Sequence, residues 1–193
     1  MRSPFGAGGA AYRRPGPPGP VETVYLGVFR RGALERAGGY DEKMRRNQDY
    51  ELNIRLRNSG GLVWFHPDLR VAYRPRGSLR ALARQYHDYG RWKRVGVRRH
   101  PGSLRLRQAA PPLATLALVV SLLVAPLTRG RSLGIPAIYA AAVTAAGAAA
   151  GRSEPWPVRA RIPVVLAPMH EAWGLGFIRG AETAEGGTKR SRR

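Results

Sequence analysis

Residues 109–128 (AAPPLATLALVVSLLVAPLT) run for 20 positions without a charge. A bilayer-spanning helix needs about 20 mostly apolar residues, because each advances ~1.5 Å through a hydrocarbon layer ~30 Å thick. The other reading, a buried core helix, needs a soluble block large enough to cover it, and the rest of the chain offers none. A second uncharged run, 133–151 (LGIPAIYAAAVTAAGAAAG), is weakly apolar, but its Ala and Gly suit close helix–helix approach. Residues 162–178 (IPVVLAPMHEAWGLGFI) carry His170 and Glu171 mid-segment together with Pro163 and Pro168. Charged groups at membrane depth must face protein or water, so this piece is expected to be re-entrant, interfacial, or a third packed span. Residues 109–178 therefore read as a membrane region with two to three transmembrane helices.

The charge balance is +21, from 33 Lys plus Arg against 12 Asp plus Glu. Only Lys43, Lys93 and Lys189 are lysines, and Ala, Gly and Pro abound, a pattern that fits GC-rich coding and does not by itself select a polyanion. Placement is more informative. Eight Lys/Arg lie between Arg84 and Arg107, ahead of the first span, whereas the turn between spans holds only Arg129 and Arg131. The positive-inside tendency then puts the N-terminal block in the cytoplasm of a multi-pass plasma-membrane protein, with Arg152, Arg159, Arg161 and a basic tail at 179–193 returning to the same side. Nucleic-acid binding would want stacking aromatics among the arginines of a soluble module. Here the aromatics sit beside the spans, so membrane lipid is the expected partner and nucleic acid is not. No cysteine is present, which removes disulfides, iron–sulfur clusters and thiolate zinc sites. His66, His87, His100 and His170 lack ligand spacing, so no metal site is expected from them.

Residues 1–20 are Gly/Pro-dense and read as a loop without a secretory signal. Residues 21–76 read as a compact α/β block. Residues 21–29 (VETVYLGVF) have the β-branched and aromatic content of a buried strand. Residues 31–37 suit a short helix stopped by Gly38-Gly39. Residues 49–58 suit a helix with Asn47 as N-cap, acidic Asp49 and Glu51 near its positive start, and Gly60-Gly61 beyond its end. Residues 62–65 and 70–73 are expected as short strands around His66-Pro67-Asp68. A block of about 55 residues is marginal alone, and a domain that opens on a loop reads as entered partway. Residues 77–108 are expected to hold a basic amphipathic helix: Leu79, Leu82, Tyr86, Tyr89 and Trp92 or Lys93 share one face, while Arg80, Arg84, His87, Asp88 and Arg91 lie mostly elsewhere. Such a helix suits a membrane interface, or an ordinary protein surface.

The order of short motifs resembles the second half of a family 2 glycosyltransferase catalytic domain. Gly27-Val28-Phe29-Arg30-Arg31 is followed by AGGYDE at 37–42 and by NQDYELNIRLRNSGG at 47–61. QYHDYGRWK at 85–93 and Met169-His170-Glu171-Ala172-Trp173-Gly174 resemble the membrane-bound succinoglycan, or exopolysaccharide, branch. The resemblance implies the C-terminal half of a GT-A-like domain at 21–76, followed by an interfacial helix and spans. It implies inverting transfer of a sugar from a nucleotide-sugar donor to a lipid-linked or saccharide acceptor in cell-envelope glycan synthesis.

It further implies that Asp49 is the general base and that Gln48, standing where Glu is usual, Glu51 and Arg55 belong to the acidic helix-start motif. Elementary chemistry agrees: an attacking hydroxyl needs a carboxylate to take its proton, and a helix start keeps that carboxylate ionised. The competing reading is that Asp49 only caps its own helix. Polymer-forming members carry Gln-x-x-Arg-Trp for the diphosphate and acceptor sugar. This chain has Gln85 and Arg91-Trp92 with five residues between Gln85 and Arg91, so processivity is not carried over, and Trp92 and Tyr89 read equally as membrane-belt side chains. The family also implies a divalent metal (Mg or Mn) held by Asp-x-Asp, which this sequence lacks. The chain is therefore expected to be a truncated copy, a mis-started reading frame, or half of a split enzyme, not necessarily active alone, that a separate donor-binding half would complete. The alternative is a non-catalytic membrane scaffold or partner-binding protein.

Overall fold

A computed structural model describes residues 16–72, 74 and 76–181. Most of the expected N-terminal loop, Tyr73 at the end of one expected strand, and the tail from 182 onward lie outside the described residues. In chain order the elements are β1 (Gly19–Pro20), α1 (Arg31–Arg36), α2 (Gln48–Asn58), β2 (Trp64–Phe65), α3 (Leu79–Arg99), α4 (Leu106–Leu123), α5 (Gly134–Ala150), α6 (Trp156–Arg159) and α7 (Ile162–Arg179), with 3-10 turns at Pro101–Ser103 and Arg131–Leu133.

The expected α/β class is not confirmed: the protein is mostly helical, with few strands. Among the described residues the strands are β1 and β2, paired antiparallel with Gly19 opposite Phe65 and Pro20 opposite Trp64. The Val21 N–H still donates to the Val63 carbonyl at 2.9 Å, after which residues 22–29 leave the ladder. Composition favoured a strand there, but β-propensity is realised through cross-strand neighbours, and beyond Val21 the described residues provide none. Leu26 instead takes a positive φ of 53°. Val28 is 88% exposed rather than buried. The segment is held to α2 by Asn53, whose Nδ2 donates to Thr23 Oγ1 at 2.8 Å and to the Val24 carbonyl at 3.4 Å. Residues 70–72 are likewise irregular.

Both short helices end where their glycine pairs stand. After α1, Gly38 N–H bonds Glu35 and Gly39 N–H bonds Leu34. After α2, Gly60 N–H bonds Arg57 and Gly61 N–H bonds Leu56. This is the paired closure in which a left-handed residue (Gly38 at φ 76°, Gly60 at φ 81°) satisfies the last free carbonyls. The buried apolar residues of this part are Met44, Leu52, Ile54, Leu56 and Val63.

The remainder is a helical cluster in which α7 packs against α3, α4 and α5. Glycine makes each contact. A Cβ on Gly176 would clash with the His87 carbonyl of α3, and one on Gly90 with the Trp173 carbonyl of α7. A Cβ on Gly174 would meet Thr115 Oγ1 and Pro111 of α4, and one on Gly147 of α5 would lie 2.6 Å from Pro163 Cγ. Backbones that approach this closely gain dispersion contacts without needing apolar side chains.

The turn between α4 and α5 is closed by hydroxyls: Ser132 Oγ donates to the Ser121 carbonyl at 2.7 Å, and Thr128 Oγ1 donates to Ser132 Oγ at 3.0 Å. The segments Leu106–Leu123 and Arg131–Ala150 are long and apolar enough to cross a membrane. Only 11% of each 18-residue window is buried within the protein, and Leu113, Leu116, Leu123 and Ile138 point outward.

Gly90→Ala and Gly176→Ala should each destabilise the cluster by about 1–3 kcal/mol or more, since the added carbon meets backbone that cannot step aside. Gly96→Ala has no heavy atom within 4 Å of the new Cβ and should be neutral or stabilising by up to ~1 kcal/mol. Thermal unfolding in detergent micelles compares the three.

Candidate functional site

α2 sets the position of the acidic motif. Asn47 precedes it in the left-handed region, at φ 61° and ψ 21°, so its side chain does not cap the helix as expected. Its Nδ2 instead donates to the Tyr89 carbonyl of α3 at 3.3 Å, fixing the start of α2 against the middle of α3. Gln48 Nε2 donates to the Met44 carbonyl. Asp49, half-buried in the first turn, accepts from the Tyr50 N–H through Oδ1 at 2.8 Å.

The next acidic residue has a different environment. Glu51 is 4% exposed. Its carboxylate accepts from Arg55 Nε at 2.8 and 3.0 Å and from Arg55 Nη2 at 2.8 Å, and it lies 3.1 Å from His100 Nε2. Burial pushes the Glu51 carboxyl up, but the hydrogen bonds from Arg55 and His100 outweigh it and hold the group below the usual carboxylate range. Arg55 also donates to the Ala37 carbonyl and, at 2.7 Å, to the Gly39 carbonyl. Glu51 and Arg55 thus clamp the Ala37-Gly38-Gly39 turn onto α2.

A cleft of about 2720 Å³ opens beside the first turn of α2. Gln48, Asp49 and Tyr50 line it from α2, and Gln85, Tyr86, Tyr89 and Lys93 from α3. His170 and Trp173 line it from α7, and Arg105 and Arg107 from the start of α4. Gln85 Nε2 donates to Tyr89 Oη at 2.6 Å, and the Tyr86 and Tyr89 rings meet edge to face at 5.8 Å. Of the residues singled out from sequence, Asp49, Gln48 and Gln85 share this cleft. Glu51 and Arg55 are not among its lining, and neither are Arg91 and Trp92. Arg91 Nε donates to the Gly180 carbonyl at 2.9 Å, and Arg94 bonds the Phe177 and Ile178 carbonyls, so both cations satisfy the C-terminal end of α7. At about 100° per residue, Gln85, Tyr86, Tyr89 and Lys93 fall within one ~100° arc of α3, and Arg91 lies opposite that arc. Lys93 was the residue not singled out for the site, although its spacing of four from Tyr89 and eight from Gln85 carried the signal.

The cleft offers a carboxylate at a helix start, amide and hydroxyl groups, and aromatic faces suited to a sugar ring. Its acidic residues do not gather into a divalent-metal site: Asp41 is paired with Arg99 and Glu22 with Arg105, and among the described residues no group of three or more His, Asp or Glu gathers around one point. No step proposed below runs through a metal.

No family model and no solved structure matches the chain. It is similar to the succinoglycan biosynthesis protein ExoA of Rhizobium meliloti (strain 1021), being 31% identical over 189 residues that cover 93% of this chain and 54% of that protein. The chain spans about half the length of this curated relative, the C-terminal part. The resemblance to the succinoglycan-type branch of family 2 glycosyltransferases, limited to the C-terminal part, is borne out by this homologue.

Because Glu51 sits below its ordinary value of 4.5 in the folded state, its pairing contributes stability that is fully present above that value and is lost as pH falls through the lowered one. Glu51→Gln should destabilise the protein by about 3 kcal/mol at neutral pH, by leaving Arg55 and His100 without their acid. The gap between wild type and variant should narrow in acid, as read from unfolding midpoints across a pH series.

Proposed function

We propose that this chain, a homologue of the C-terminal part of a succinoglycan biosynthesis protein, is the acceptor-side part of a family 2 glycosyltransferase. In this reading it works at the cytoplasmic face of the plasma membrane. There it transfers a sugar from a nucleotide-sugar donor to a lipid-linked or saccharide acceptor of an exopolysaccharide. The observation that carries the reading is Asp49: a carboxylate in the first turn of an 11-residue helix, lining a large cleft that also holds Tyr86, Tyr89 and Trp173.

The chemistry follows from that placement. An acceptor hydroxyl oriented against the aromatic faces attacks the anomeric carbon of the donor. A bond forms from that oxygen to the anomeric carbon, the bond from this carbon to the donor diphosphate breaks, and the diphosphate leaves with the electron pair. Asp49 takes the hydroxyl proton as the attack proceeds. The first turn of α2 favours the ionised carboxylate before the step. Gln48 and Gln85 supply amide groups for sugar hydroxyls. A donor-binding half, of the kind that would correspond to the unmatched part of the relative, completes the site and brings the nucleotide sugar.

Membrane placement is part of the same proposal. What supports it is the pair of long apolar segments, Leu106–Leu123 and Arg131–Ala150, with little of either buried by the protein. α7 then serves as a third segment packed against both, and the Arg-rich α3 lies along the inner interface.

Asp49→Asn tests the base. In membranes containing the chain fused behind the N-terminal part of ExoA, transfer from a panel of labelled nucleotide sugars should fall about 10²–10⁴-fold, with the chain's abundance unchanged. Undiminished transfer in that variant would remove Asp49 as the base.

A further inference from the structure

One charged group in the cleft has no part in the transfer step. Lys93 is 5% exposed, yet its ammonium pairs with no carboxylate among the described residues. Nζ donates to the Ser103 carbonyl at 2.9 Å and stands 4.2 Å from the centre of the Tyr50 ring. Tyr50 Oη donates to the same carbonyl at 3.2 Å. Burial draws the ammonium down to about 8, the mark of a cation removed from water without a counter-charge.

The surroundings add positive charge. Arg107 lines the same cleft, is exposed, and has no ion pair among the described residues. Arg57 and Arg107 both act on Tyr50 electrostatically, and Arg57 Nε is buried without a hydrogen-bond partner. The nearby cation Arg105 is already paired with Glu22. Of the acids nearby, Glu51 is engaged by Arg55 and His100 and Asp41 by Arg99, while Asp49 lines the cleft from the first turn of α2. Lys93 against the Tyr50 ring and Arg107 acting on the same phenol bring two cations to one part of the cleft, a setting that suits an anion.

Its place decides the source of that anion. Arg107 is the second residue of α4 and stands two positions before the uncharged run that begins at 109. Leu106 and Leu113, on the same helix, are 90% and 63% exposed, which gives a hydrocarbon tail an apolar track leading away from the cations. We propose that Lys93 and Arg107 form a phosphate subsite that takes the diphosphate of a membrane-borne, lipid-linked ligand at the foot of α4. This deepens the function proposed above, since it rests on α4 entering the bilayer and on the cleft receiving a lipid-linked acceptor.

The test is direct binding to the full chain in phosphatidylcholine nanodiscs, with farnesyl diphosphate as the membrane-borne probe and inorganic pyrophosphate and UDP as soluble ones. Farnesyl diphosphate should bind, and Lys93→Gln and Arg107→Gln should each raise its Kd at least tenfold. Arg107 is exposed, so its variant keeps the test meaningful if removal of the buried lysine disturbs folding. Lys93→Arg should keep most of the affinity, and Arg80→Gln, an exposed cation on α3 that does not line the cleft, should change nothing. Absent binding, or binding indifferent to both variants, overturns the subsite. Pyrophosphate or UDP binding as tightly as farnesyl diphosphate overturns its membrane-borne source. The assay reads binding alone, so farnesyl diphosphate binding by the wild-type chain together with no transfer by its wild-type ExoA fusion would fault the proposed reaction and not the subsite.

Discussion

The backbone-to-backbone approach of α7 to its neighbours is the constraint on which the rest depends. Where no apolar side chain fits between two helices, only hydrogen at Cα lets the carbonyls of one lie against the other. Gly90 and Gly176 do this between α3 and α7, and Gly174 does it between α7 and α4. The same stretch of α7 also presents His170 and Trp173 to the cleft. Packing and recognition thus share one helix within a few residues, and a shift of α7 moves both together.

A second set of contacts fastens the small N-terminal part to that cluster. Asn47 reaches the Tyr89 carbonyl, Tyr50 the Ser103 carbonyl, Glu51 pairs with His100, and Asp41 with Arg99. These ties run to α3 or to the turn just after it, and Glu22 adds a pair to Arg105 at the start of α4. The five buried apolar residues around α2 are few, and a core that small is marginal unless something outside it is fixed to it. Polar ties distributed over 15 residues of α3 and its turn, from Tyr89 to Ser103, perform that fixing while leaving the first turn of α2 beside the cleft.

What was legible in the sequence followed local rules. Gly38-Gly39 and Gly60-Gly61 announced helix ends because no other residue takes the left-handed turn as easily, and the structure ends α1 and α2 there. The amphipathic run ahead of the spans became α3, and the uncharged runs became α4 and α5. What misled was composition read without partners. Residues 21–29 look like a buried strand, yet a strand is a relation between segments, and the described residues set only Val63 against Val21. Asn47 suited a cap, but the carbonyl of Tyr89, 42 positions away, drew its side chain elsewhere, and no local rule reports that.

The candidate site divides in the same way. Asp49 and Gln85 were marked by motif, and both line the cleft. Arg91 was marked by analogy with a differently spaced motif, and helical geometry turned it to the end of α7. Lys93 belonged to the right face but looked like one more cation in an Arg-rich stretch. Its burial became visible only once Tyr50 and Ser103 had been brought over it.

If α4 and α5 span a bilayer as proposed, the fastening of α2 to α3 makes the cleft answerable to the lipid. In the proposed setting, a thinner or thicker hydrocarbon layer is met by a change of tilt in α4 and α5. Because α7 touches both of them and α3 as well, that tilt is passed to α3, and through Asn47 to the turn that bears Asp49. The distance across the mouth of the cleft would then vary with acyl-chain length, giving the composition of the host membrane a mechanical hold on a pocket outside it.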